Sequence, residues 1–150
     1  MAENSTEIIQ LLGKEPSCEY TVVVRDKSGT PLVIQNAPFF FDGTPMPTRY
    51  WLLDGELYKK VSYIESIGGV KKVQEEIDEE TITIIHRKYE QDRNELIPEN
   101  YEGPKPSGGV GGTRRGVKCL HAHVANLLAT NDDAVGQWTL DRIKECDMQS

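Results

Sequence analysis

The stretch that decides the fold class is CEYTVVVRDKSGTPLVIQN, residues 18–36. Two runs rich in β-branched residues, CEYTVVVRD and TPLVIQN, are separated by the short polar segment KSG. This pattern is typical of two strands joined by a tight turn, so it predicts an antiparallel hairpin. The Asp42-Gly43 pair then marks another turn, and the apolar residues 50–53 that follow predict a third, buried strand.

Helical spacing dominates the rest of the chain. Apolar residues recur at the intervals of one helical face in residues 55–69, and Gly68 and Gly69 end that pattern. Residues 70–97 also predict helix, with a break near Asp78, although the segment TITII alone would suit a strand. Two further helices are expected over residues 117–130 and 134–146.

Length, composition and charge narrow the possible function classes. A chain of 150 residues with 27% charged residues has the composition of a folded domain. We predict a single domain over residues 1–150, with an α+β fold in which a small antiparallel sheet in the N-terminal half packs against several helices. The net charge of −7 disfavours nucleic-acid binding, and no apolar run predicts a membrane span. Three cysteines without a close pair predict a reducing, cytoplasmic location.

The stretch SGGVGGTRRGVKCLHAHVANLLA, residues 107–129, contains the candidate site. Its glycine spacing fails both the P-loop pattern and the dinucleotide-binding pattern, because Val117 follows Gly116 where the P-loop needs lysine, and Arg114 stands where the dinucleotide motif needs glycine. Glycine amides, cationic side chains and a helix start nevertheless favour an anion. The predicted ligand-binding residues are Arg49, Gly111, Gly112, Arg114, Arg115 and Lys118.

The same stretch offers a thiol and two imidazoles, and their roles stay open. At about 100° per helical residue, Cys119 and His123 would share one face, and His121 would point away. Cys119 and His123 are therefore the candidate catalytic pair, with nearby cations favouring the thiolate. A metal ion, if bound, would draw its ligands from Cys119, His121, His123 and His86. His86, with Glu90 one turn on, is otherwise expected on a solvated, salt-bridged helix face.

Three blocks of the sequence carry a family resemblance. They are VVVRDKSGTPLVIQNAPFFFDGTPMPTRYWL, PSGGVGGTRRGVKCLHAHVA and NDDAVGQW, which together run from about residue 20 to residue 138. In this order they resemble the actinobacterial domain of unknown function numbered 501. The resemblance implies a bacterial cytosolic protein without an established activity. It also implies that many members carry cysteines in place of Asp26 and near Asp54, so these two carboxylates are expected to approach Cys119 and the histidines.

The leading functional hypothesis is the binding of a small anionic, phosphate-bearing ligand at the glycine-rich loop. One alternative is a protein-interaction module without catalysis, in which the loop and the aromatic strand dock a partner. Another is a domain stabilised by a Cys/His metal site. The sequence leaves the identity of any cofactor or protein partner unknown.

Overall fold

The hairpin predicted from residues 18–36 forms two strands of one antiparallel sheet, in the strand order β1-β2-β3. The computed structural model describes residues 5–149, which contain three strands, six α-helices and one short 3-10 turn at Val110–Gly112. The strands are β1 (Tyr20–Arg25), β2 (Pro31–Asn36) and β3 (Tyr50–Leu52). The helices are α1 (Ser5–Leu12), α2 (Glu56–Ser66), α3 (Gly69–Glu76), α4 (Glu79–Asn94), α5 (Leu120–Thr130) and α6 (Ala134–Gln149). The predicted α+β class is confirmed.

The turn between β1 and β2 is organised by one carboxylate. Asp26 Oδ1 accepts hydrogen bonds from the backbone amides of Ser28 (2.8 Å) and Thr30 (2.9 Å). Gly29 adopts a φ of 88°, a conformation that glycine takes without steric cost. Asp26 therefore serves the turn itself, as aspartate side chains commonly do.

The sheet carries apolar side chains on both faces. Val33 and Leu52 pack into the main core with Leu120 and Val124 of α5. Ile34, which points the opposite way along β2, packs with Ile8 of α1 and Leu53 in a smaller cluster. Helices thus cover both sides of the sheet. None of the helices in residues 5–149 has the length and apolar character that a membrane span requires.

Helix α4 confirms the helical interpretation of the TITII segment. Asp78 is the N-cap residue, and its carboxylate accepts the backbone N–H of Thr81 at 2.7 Å. The predicted break near Asp78 is therefore the junction between α3 and α4. Four residues at helical spacing form the buried face of α4: Ile82, His86, Tyr89 and Arg93. Two of these four, His86 and Arg93, are polar, and arginine in particular is rarely fully buried.

Polar side chains of α4 bond to the backbone of other segments, and we call His86, Tyr89, Glu90 and Arg93 the α4 clamp. The Tyr89 hydroxyl accepts the backbone amides of Arg49 (2.6 Å) and Tyr50 (3.1 Å), which fixes the start of β3. Burial raises the pKa of Tyr89 to about 12, so this hydroxyl stays protonated.

Arg93 is fully buried and has the largest set of backbone partners in the clamp. Its guanidinium donates to the carbonyl oxygens of Pro47 (2.8 Å), Gly108 (2.9 Å) and Pro106 (3.2 Å). Arg93 Nε also donates to the Asn94 side chain at 3.1 Å. One side chain thereby joins α4 to two loops that are far apart in the sequence.

Replacing Arg93 with methionine is expected to lower the free energy of unfolding by about 3–5 kcal/mol, because buried carbonyls lose their donors. The matched control is Lys88→Met on the same helix, since Lys88 is exposed and pairs with Asp92 on the surface. That control is expected to cost less than about 1 kcal/mol. Urea unfolding followed by circular dichroism measures both, and equal losses would contradict the proposed role of Arg93.

Candidate functional site

Helix α5 begins three residues later than the sequence predicts. The expected helix over residues 117–130 starts at Leu120, and Cys119 is its N-cap residue with an extended backbone (φ −151°, ψ 123°). Gly116 lies in the left-handed region at φ 62°, which interrupts any helix before it. Arg114, Arg115 and Lys118 therefore lie in the loop that precedes α5. Their predicted position at a helix start is wrong.

One cavity beside the glycine-rich loop has a volume of about 380 Å³, and we call it the arginine cavity. It is lined by Glu79, Thr83, His86, Arg87, Glu90, Gly109, Arg114 and Arg115. Arg114 is 70% exposed along its side chain, and its Nη2 lies 3.6 Å from Glu90 Oε2. Three guanidinium groups and two carboxylates thus share one concavity, with a net charge of +1.

The backbone amides of the glycine run are already used within the protein. Gly108 N donates to Glu90 Oε2 (2.8 Å), Gly109 N to the carbonyl of Thr113 (2.7 Å), and Val110 N to His86 Nδ1 (3.1 Å). Gly112 N donates to the carbonyl of Gly109 at 2.9 Å. The expectation that these amides would wrap an anion is therefore not met at these four positions.

The glycines instead allow the loop to approach α4 closely. A Cβ atom on Gly109 would lie 2.5 Å from both Cα and Cβ of His86, which no side chain tolerates. His86 is buried, its Nε2 donates to the carbonyl of Gly116 at 2.6 Å, and its Nδ1 accepts from Val110. The prediction of a solvated His86 held by Glu90 is wrong, because both side chains bind the loop backbone.

A second cavity, of about 310 Å³, lies on the other side of the loop, and we call it the thiol cavity. Its lining is mostly aromatic and aliphatic, with one lysine, one thiol and one imidazole. It comprises Thr48, Tyr50, Trp51, Leu52, Tyr58, Gly111, Lys118, Cys119, His121 and Ala122. Thr48, in the segment before β3, thus lines a cavity beside the glycine-rich loop.

Cys119 and His121 converge with a carboxylate that sequence reasoning missed. Cys119 Sγ lies 3.8 Å from His121 Nδ1, and Glu65 Oε1 lies 3.4 Å from the same nitrogen. Glu65 Oε2 accepts the backbone N–H of Leu120 at 2.8 Å. Among the described residues, these three form the one group of ligand-type side chains whose atoms all lie within 4.8 Å of one another. Asp26 and Asp54 do not join it.

The surroundings of Cys119 disfavour a free thiolate. Burial raises the pKa of this thiol, and the Glu65 carboxylate raises it further, while backbone hydrogen bonds from Ala122 and His121 oppose the shift. Of the three cations expected to activate it, Arg114 and Arg115 line the arginine cavity instead, and Lys118 lines the thiol cavity. In its present surroundings the thiol is therefore a poor nucleophile at neutral pH.

His123 lines neither cavity, although sequence reasoning paired it with Cys119. Its ring is fully buried, and Nδ1 bonds to both carboxylate oxygens of Asp133, at 2.9 and 3.1 Å. Asn126 Nδ2 and Gly136 N donate to the same carboxylate at 2.9 Å each. His123 therefore links α5 to the start of α6. His123 Nε2 has no hydrogen-bond partner within the part of the chain that the structure describes.

The remaining ligand-binding residues predicted from the sequence also lie in different places. Arg49 lies over the ring of Tyr50, 5.0 Å from its centroid, and borders a different, smaller cavity. Gly112 packs toward Pro47, and Lys118 lines the thiol cavity. The predicted residues thus line two cavities beside the loop rather than one. Arg87 and Glu65 were missed because nothing in the spacing of their own helices links them to this loop.

Comparison with known proteins identifies a family and no relative of known function. The family model described as "Protein of unknown function (DUF501)" matches residues 22–141. No curated protein and no solved structure matches the chain.

Stability is expected to fall as the pH is lowered from about 7 to about 5.5, because burial lowers the pKa of His86. The nearby His123 ring lowers it further, and the Gly116 carbonyl and Asp133 oppose the shift without reversing it. In this pH range the unfolded chain therefore binds more protons than the folded chain. As the pH falls, His86 lowers the free energy of unfolding by at most about 1.4 kcal/mol per pH unit.

The comparison variant is His86→Gln, whose side-chain amide can still accept from Val110 and donate to Gly116. Urea unfolding at three pH values is expected to give a shallower pH slope for this variant than for the natural chain. Equal slopes would show that His86 does not titrate in this range.

Proposed function

The chain belongs to the DUF501 family, and we propose that it binds a small phosphate-bearing anion in the arginine cavity. The observation that supports this proposal is the presence of Arg87, Arg114 and Arg115 around one concavity. Guanidinium groups bind phosphate oxygens through paired, charge-assisted hydrogen bonds, which makes arginine the favoured residue for this ligand class.

The α4 clamp holds the loop backbone that forms one wall of the arginine cavity. Gly108 is buried, and Glu90 and Arg93 bond to its amide and its carbonyl oxygen. His86 accepts the amide of Val110. A ligand therefore meets a pre-formed surface, and less conformational entropy is lost on binding than with a free loop. The buried part of this loop is not exposed for docking to another protein, which disfavours the interaction-module alternative.

The anion is held by side chains rather than by glycine amides. Four amides of the run are already bonded within the protein, so the guanidinium groups supply the donors that face the cavity. A volume of about 380 Å³ is within the range of small-molecule pockets and exceeds what one phosphate group fills. We therefore expect a ligand in which phosphate is attached to a larger group.

Glu90 places a negative charge in the arginine cavity, and this charge repels an incoming anion. Its carboxylate lies 3.6 Å from Arg114 Nη2 and 3.8 Å from Arg93 Nη2, so it competes with an incoming anion for Arg114. The cavity is consequently only weakly positive without a ligand, and binding should depend on salt concentration.

Inorganic phosphate or pyrophosphate is expected to raise the melting temperature, by about 3–5 °C at ten times its Kd. Arg114→Ala combined with Arg115→Ala should weaken binding at least about tenfold, since charge-assisted hydrogen bonds are lost. The matched control removes two positive charges elsewhere, in Lys59→Ala combined with Lys144→Ala. Thermal melts at constant ionic strength measure the effect. A natural chain that neither anion stabilises would overturn the proposal.

Glu90→Gln is expected to strengthen phosphate binding on the order of threefold to tenfold, because it removes a negative charge beside the guanidinium groups. The glutamine oxygen can still accept the Gly108 amide, so the loop keeps its anchor. Isothermal titration with pyrophosphate at low salt checks this, and weaker binding in a variant that folds normally would contradict it.

A further inference from the structure

The hydrogen bonds of His121 determine which ring nitrogen carries the proton in the neutral imidazole. Nε2 lies 3.2 Å from the carbonyl oxygen of Tyr58, which can only accept a hydrogen bond. The Ser62 hydroxyl donates to that same carbonyl at 3.0 Å, so Ser62 Oγ offers its lone pairs to Nε2 at 2.9 Å. With two acceptors beside it, Nε2 bears the hydrogen and Nδ1 bears the lone pair.

That lone pair faces two other electron-rich atoms. Glu65 Oε1 lies 3.4 Å and Cys119 Sγ 3.8 Å from Nδ1. With the imidazole neutral and no bound cation, the thiol S–H is the one hydrogen available to these three atoms, and it cannot serve both the imidazole and the carboxylate. The arrangement is therefore suited to a cation that all three atoms can share.

The two separations from His121 Nδ1 fit a tetrahedral zinc ion, and all three ligand atoms lie within 4.8 Å of one another. Typical zinc–ligand bond lengths give separations of about 3.6 Å between a sulfur and a nitrogen ligand and about 3.3 Å between nitrogen and oxygen ligands. The observed separations, 3.8 and 3.4 Å, differ from these by a few tenths of an ångström. Glu65 is also held in place by the Leu120 amide on its other oxygen, so little rearrangement is needed.

We propose that Glu65, Cys119 and His121 bind one zinc ion, with a fourth coordination position open toward the thiol cavity. A sulfur ligand favours zinc over magnesium or calcium, which prefer oxygen alone. His123 and His86 are bonded elsewhere in the fold. Three protein ligands with one free position are typical of zinc sites that bind or activate a small ligand rather than of purely structural ones.

The proposed zinc site also gives the thiol cavity a role in ligand binding. Cys119 and His121 are part of its lining, next to the aromatic walls supplied by Tyr58 and Trp51. The Tyr58 ring also packs on the His121 ring at a centroid distance of 4.2 Å, which holds the imidazole in this orientation. A ligand donating one oxygen or nitrogen to the metal and an apolar portion to the aromatic walls would suit this site.

Metal content and cobalt spectroscopy test the site. The full chain is freed of metal with EDTA, incubated with zinc, passed through a desalting column and analysed by elemental analysis. About one zinc per chain is expected for the natural protein and for the control Cys146→Ala, and less than about one-tenth for Cys119→Ala. With Co²⁺ in place of zinc, the natural chain should show a thiolate-to-cobalt charge-transfer band that Cys119→Ala lacks.

Glu65→Gln provides a second variant, because its amide oxygen can still accept the Leu120 N–H. Its zinc affinity in a chelator competition is expected to fall at least about tenfold, since the ligand charge is lost. A natural chain that takes up less than about one-tenth of a zinc and gives no cobalt band would overturn the proposal. So would a Cys119→Ala variant that binds zinc normally. Arg114→Ala with Arg115→Ala should leave zinc content unchanged, which separates this site from the anion site.

Discussion

The buried guanidinium of Arg93 holds together the part of the molecule that contains both cavities. A buried cation is tolerated where its N–H groups find acceptors, and here the carbonyls of Pro47, Pro106 and Gly108 replace water. The Glu90 carboxylate, 3.8 Å away, offsets part of the charge. Because the carbonyls come from two separate segments, one side chain determines how the segment before β3 and the glycine-rich loop lie on α4.

The glycine-rich loop consequently packs against α4 and lies between the two cavities. Gly109 touches His86 so closely that a side chain would overlap it, while Gly111, two residues on, lines the thiol cavity. The glycines thus serve close packing, and in both of our proposals the ligand is bound by side chains on either side of the loop. This arrangement explains why Arg114 and Arg115 line a different cavity from Cys119, although only a few residues separate them in the sequence.

The sequence was sufficient to predict the sheet, the helices and the break at Asp78, because these depend on local periodicity and capping. It was not sufficient to predict the buried face of α4. The segment HRKYEQDR has the composition of a solvated helix face, and most helices with such residues do expose them. The partners of His86, Glu90 and Arg93 are backbone groups of distant loops, about which helical periodicity carries no information.

The convergence of Cys119 with His121 follows from where α5 begins. Within a helix the two side chains would point apart, but Cys119 is the N-cap residue, and its extended backbone brings the thiol beside the imidazole. Cys119 provides no capping side chain, so the first amide of α5 bonds to Glu65 of α2 instead. The Glu65 carboxylate that caps α5 also belongs to the candidate metal site. The same side chain therefore determines where the helix starts and where the ligand atoms meet. No local pattern predicts a cap supplied from 55 residues away.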